Sequence, residues 1–239
     1  MKRISVVSHA GDMDISKSKG KLVVIIDVLR ATSVMTTAFM KGVKEIVAFR
    51  EIEDARAYYA RLNPSERIIA GERNAEKPEG FDYGNSPTSL DENIVSGKIM
   101  VMSTSNGTRA IEASIDASTM LIASFLNVKA VAQTIVDSDC EEVLIVCAGT
   151  QNKFSMDDSL CASAIIQKVD AYCDTELDDL AYILAKQSIN RKTLTDLLQN
   201  CYHYKLLKTK GYLADLEYCL SLSITDIVPY YKNGKILKS

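Results

Sequence analysis

The sequence predicts an α/β fold: a layered, mostly parallel sheet flanked by helices, with a helix-rich C-terminal region. Three observations carry that expectation. Short β-branched apolar runs alternate with helical patterns through the first two-thirds of the chain. Those runs are hydrophobic throughout instead of at every second residue, which suits parallel strands covered on both faces. After Cys147 the alternation stops and successive helical stretches follow, as in a layered α/β unit that carries its extra helices at one end.

In chain order, strands are expected at 3–8, 22–28, 45–49, 67–70, 98–103, 119–123 and 142–147, with helices at 32–41, 51–62, 106–116 and 128–137 between them. Further helices are expected at 155–172, 178–186, 193–200 and 214–220. A closing hairpin joins 227–231 to 235–237 around Asn233-Gly234, a pair suited to a tight two-residue turn. No Gly/Ser-rich linker, low-complexity tract or repeat interrupts the chain. A single domain over 1–239 is therefore expected, with the helical region from about 155 to 239 packed on it.

Charge and cysteine usage narrow the function. With 28 basic and 31 acidic side chains and a net charge of -3, nothing attracts nucleic acid or an acidic membrane globally. No apolar run approaches the ~20 residues that span a bilayer, and the N-terminal stretch is interrupted too soon for a signal peptide. The six cysteines form no CxxC pair; reduced thiols in the cytoplasm are expected, not disulfides or a zinc site. A homo-oligomer remains open.

Five polar clusters stand out, four of them directly after expected strands, where ligands of open α/β sheets bind. Asp27 ends an apolar strand and is followed by Arg30, Thr32 and Ser33; a metal ligand beside a phosphate binder is one reading, an ordinary helix cap with an Asp–Arg pair the other. Glu72 and Arg73 follow the fourth strand, and Asn85, Ser86 and Pro87 close a Gly-punctuated loop soon after. Ser105, Asn106, Gly107, Thr108 and Arg109 run from a strand into a helix, a sequence suited to cradling an oxyanion. It lacks the spacing and lysine of a Walker A loop. Finally, Asp157 and Asp158 enter a helix behind Ser155; capping explains Asp158, while Asp157 is a spare hard-oxygen ligand suited to Mg²⁺.

Taken together and in this order, DVLRATS at 27–33, GERNA at 71–75, GFDYGNSP at 80–87, STSNGTRA at 103–110, SFLN at 124–127 and CAGT with FSMDD at 147–158 resemble the 2-phosphosulfolactate phosphatase family. The resemblance implies an α/β enzyme that uses Mg²⁺ to hydrolyse (2R)-2-phospho-3-sulfolactate, a step of coenzyme M biosynthesis. Asn74-Ala75 departs from the small glycines of many relatives. The residues accommodate such a substrate, a small anionic phosphorylated acid. Arg30, Arg73 and Arg109 supply guanidinium forks for its oxyanions, and Asp27, Glu72, Asp157 and Asp158 could hold Mg²⁺.

Catalytic roles fall to Asp27, Glu72 and Asp157, with attack by water and one carboxylate as general base. A covalent aspartate of the haloacid-dehalogenase type is disfavoured because its second aspartate is replaced by Leu29, and a thiolate mechanism because Lys153 stands where Cys147 would need an arginine. A phosphatase for another small phospho-acid, and a binding protein without turnover, are the competing readings. His9 and His203 are expected in solvent-facing or core roles.

Overall fold

The computed structural model describes residues 1–187 and 189–239. Its strands are β1 (Lys2–Val7), β2 (Leu22–Ile26), β3 (Glu45–Phe49), β4 (Arg67–Gly71), β5 (Ile99–Ser103), β6 (Thr119–Ala123), β7 (Glu142–Cys147), β8 (Thr175–Leu177), β9 (Tyr230–Lys232) and β10 (Lys235–Leu237). Its helices are α1 (Ala31–Met40), α2 (Ile52–Arg61), α3 (Glu92–Val95), α4 (Gly107–Glu112), α5 (Val128–Asp137), α6 (Met156–Asp170), α7 (Asp179–Ala185), α8 (Arg191–Leu198), α9 (Tyr202–Thr209) and α10 (Leu213–Cys219).

One sheet runs in the order β4-β5-β3-β10-β9-β6-β2-β7-β1-β8. Every pairing is parallel except those made by the β9–β10 hairpin. Central β2 is buried along its length because helices cover both its faces, and its side chains alternate between two cores. Leu22, Val24 and Ile26 pack with α5, α6 and the C-terminal helices; Val23 and Ile25 pack with α1 and α4. A smaller cluster of Ala55, Ile69, Phe81 and Val101 seats α2. Among the described residues, no helix is long and apolar enough to cross a membrane.

The expected β3, β6 and β7 coincide with the observed strands residue for residue. The hairpin is shorter than expected, beginning at Tyr230, and both residues of its turn, Asn233 and Gly234, have positive φ. α4 ends at Glu112 because the backbone turns over from Ser114 to Ala117. Three elements had no counterpart in the sequence reading: α3, β8 and α9.

Candidate active site

The C-terminal ends of the parallel strands bring the motif loops together. Asp27 leaves β2 buried, its Oδ1 accepting the Ala31 N–H at 3.3 Å, while the Thr32 hydroxyl donates to its carbonyl at 2.8 Å. Gly107 comes so near that a Cβ there would stand 3.1 Å from Asp27 Oδ2 and 2.9 Å from Ala31 Cβ. Only glycine lets α4 start here. Burial pushes the Asp27 carboxyl up to about 7, with the carboxylates of Asp157 and Glu72 adding to the rise and the N–H groups of Ala31 and Gly107 opposing it.

Glu72 is fixed from two loops, its Oε2 accepting the Ala75 N–H at 3.0 Å and its Oε1 the Ser105 N–H at 3.1 Å. The first bond exists because Arg73 and Glu76 pair across a two-residue turn whose residues, Asn74 and Ala75, have φ of 54° and 63°. This is the left-handed region that glycine enters most cheaply. The loop expected to cradle an oxyanion thus commits the Ser105 N–H to a carboxylate.

The two acids at the start of α6 diverge. Asp158 accepts the Val28 N–H at 2.8 Å and the Gly149 N–H at 3.0 Å, tying the ends of β2 and β7 together; it lines neither of the two cavities described below. Burial, then Asp157 and Asp27, push its carboxyl well up. Asp157 accepts from the Ser155 hydroxyl through Oδ1, whereas its Oδ2 is buried with no hydrogen-bond partner among the described residues.

The three arginines do not converge. Arg30 is buried, donates to Asp215 Oδ2 at 2.6 Å and lies 4.0 Å above the Tyr212 ring. Asp215 also accepts from Ser86 Oγ at 2.7 Å and from the Thr88 hydroxyl at 2.5 Å, so Ser86 faces this ion pair. Arg73 donates to the carbonyls of Glu72 and Arg50 and to Ser103 Oγ, and Arg109 to Ser105 O and Asn106 Oδ1. Arg30 lines a cavity; Arg73 and Arg109 do not.

That cavity, about 350 Å³, opens at the strand ends. Asp27, Glu72, Asn85, Ser105 and Asn106 form one part of its wall, while Gly107 and Thr108 do not line it. α9 supplies Tyr202, His203, Leu206, Leu207 and, at its end, Lys210. A neighbouring cavity of about 390 Å³ includes Asp157 and shares Thr150, Gln151, Tyr202 and His203 with the first. His203 therefore stands on the wall of both, with Nδ1 3.3 Å from Thr150 Oγ1 and 3.8 Å from Asp157 Oδ2, which corrects the expectation of a solvent-facing or core histidine. His9 makes a surface pair, Nε2 to Asp12 Oδ2 at 3.0 Å.

A model of the family described as 2-phosphosulpholactate phosphatase matches residues 10–234, which takes in every loop of this site. The chain belongs to the 2-phosphosulfolactate phosphatase family. A protein of Caldanaerobacter subterraneus subsp. tengcongensis named probable 2-phosphosulfolactate phosphatase is 42% identical over 224 residues, 92% of each chain. Similarly named proteins are 38% identical in Clostridium novyi, over 99% of this chain and 100% of that one, and 40% identical in Clostridium tetani, over 98% and 99%. In this member of the family, residues of the motifs at 27–33, 71–75, 80–87, 103–110 and 147–150 line the strand-end side of the cleft, whereas SFLN at 124–127 lines neither cavity. The opposing contribution from α9 came from a segment that carried no recognised motif. Asp215 did leave a trace: it shares a helix face with buried Cys219, four residues on, and an acid on an apolar face needs a partner.

Proposed function

We propose that this chain hydrolyses (2R)-2-phospho-3-sulfolactate to 3-sulfolactate and phosphate in a Mg²⁺-dependent reaction, the step that serves coenzyme M biosynthesis. The observation that carries the reading is the placement of Asp27 and Glu72 on the wall of one cleft at the strand ends, with Asp157 on the adjoining cavity, in a chain of this family. The names of the relatives support the substrate.

The donor set fits Mg²⁺. It consists of hard carboxylate oxygens, one of them, Asp157 Oδ2, buried and unpartnered. Among the described residues, no three His, Cys, Asp or Glu side chains gather tightly enough to encase an ion; Mg²⁺ characteristically takes one or two carboxylates and completes its shell with water and substrate phosphate. Asp27 and Asp157 would hold it, where it supplies positive charge against the transferred phosphoryl group. Glu72, held on both oxygens, keeps the Ser105 loop in place. Asn106 and Ser105 line the wall that receives the phosphate. Water attacks phosphorus while a wall carboxylate takes its proton; the P–O ester bond breaks, its electron pair leaves with the sulfolactate oxygen, and that oxygen takes up a proton to become the hydroxyl of 3-sulfolactate. Cys147 takes no part: burial, reinforced by Asp158, holds its thiol far above its ordinary value. The test is phosphate release from 2-phosphosulfolactate by purified protein. EDTA should abolish it and added Mg²⁺ restore it; full turnover in metal-free protein would refute the metal role.

A further inference from the structure

We propose that Lys210 is the specificity-determining cation of this cleft, holding the sulfonate or carboxylate of the substrate that is not its phosphate, with Asn85 as a neutral partner. The inference rests on the phosphatase reading and adds to it a site for the second acid.

Among the described residues, Arg30 and Lys210 are the arginine and lysine on the cavity wall. A phosphorylated substrate with two further acid groups brings about three to four negative charges to a wall that already holds Asp27 and Glu72. Arg30 cannot answer all of that charge, because a buried carboxylate 2.6 Å away already offsets its own. Lys210 differs. Its Nζ sits 2.5 Å from Glu76 Oε1, and the Glu76 side chain is 72% exposed. Ion pairs so open to solvent are weak, so an incoming anion can displace Glu76, which returns to water. Asn85 is only 6% exposed, lines the same cavity, and its Oδ1 is buried without a hydrogen-bond partner among the described residues. Its NH₂ is not among the buried unpartnered atoms and is the group that can donate to an anion without any turn of the amide. An ammonium on one element and an idle amide on another are what a bound second acid would use.

Lys210→Met keeps length and removes charge, whereas Glu76→Gln removes the competing carboxylate. Binding of 3-sulfolactate, which has both acids and no phosphate, is measured by calorimetry on the full chain. Lys210→Met should weaken it about 10- to 100-fold. It should also raise KM for 2-phosphosulfolactate at least tenfold more than it affects kcat/KM for p-nitrophenyl phosphate. Glu76→Gln should tighten 3-sulfolactate about two- to fivefold. If the pair is only a latch between α9 and the 73–76 turn, both variants weaken binding alike. That result, unchanged binding in Lys210→Met, or no sulfolactate binding by the parent protein would overturn the proposal. A parent protein that binds 3-sulfolactate through Lys210 yet releases no phosphate from any phosphomonoester would instead overturn the phosphatase reading alone.

Discussion

Asp27 and α9 border the same cavity but are secured in different ways. Asp27 is buried and gripped by the N–H groups of its own helix start, with Gly107 pressed against it. α9 buries Leu207, takes its cap from the Cys201 sulfur, and reaches the strand-end loops through His203 and Lys210, both at least partly open to solvent. The contrast separates two requirements. A reacting phosphoryl group needs donors and carboxylates fixed within a fraction of an ångström, and buried, interlocked loops provide that. Sorting substrates needs side chains that can change partners at small cost, and a short helix with surface ion pairs provides that.

The largest effect should come from the fixed side. Asp27→Asn should lower phosphate release on the order of 10³-fold or more without unfolding the protein. The pH dependence has a definite sign. The folded-state carboxyl is raised from 3.8 to about 7, so its contribution to stability is full below 3.8 and lost as pH rises through 7. Melting at pH 8 should therefore find Asp27→Asn at least as stable as the parent, with the advantage gone below pH 4. An unstable variant with normal turnover per folded molecule would make Asp27 architectural.

The joint between the two regions comes next. Asp215→Ala strands the buried Arg30 charge and leaves the Ser86 and Thr88 donors without their acceptor, at a cost of about 3–5 kcal/mol in urea unfolding. Pairing Arg30→Met with Asp215→Leu should recover most of that loss. If the double variant is no better than Asp215→Ala, the pair contributes more than it costs to desolvate. Smallest of all should be Cys147→Ala, which removes a buried thiol for about 1 kcal/mol and keeps most of the activity. A collapse of turnover with normal melting would return Cys147 to the candidate nucleophiles.

Much of this was legible in the sequence where local and tertiary signals agree. β3, β6 and β7 are short, mostly buried apolar runs, and their limits could be read directly. Asp27 and Glu72 were legible because parallel strands deliver their end residues to one edge of the sheet. The partners of the arginines were not legible: Arg73 donates to the carbonyls of Glu72 and Arg50 and to Ser103 Oγ, and Arg109 to Ser105 O and Asn106 Oδ1, uses that side-chain identity does not reveal. Asp157 and Asp158 were separated in the sequence on capping grounds, but Ser155 makes no side-chain cap bond, and only the fold decides that Asp158 meets the Val28 and Gly149 N–H groups. α9 escaped notice because YHYKLLKT is short, rich in Tyr and His at its start, and capped by a cysteine in place of Ser, Thr, Asp or Asn.

The β9–β10 hairpin has a bearing on how the protein is made. It is the piece that joins β4-β5-β3 to β6-β2-β7-β1-β8, pairing Ile236 with Ile46 on one side and Tyr231 with Met120 on the other. During synthesis all eight parallel strands leave the ribosome before it does, yet the sheet stays in two pieces with unpaired edges at β3 and β6 until residues 230–237 emerge. Closure of the fold is in this sense one of its last events, and a nascent chain stalled short of residue 230 would present two open edges to its neighbours.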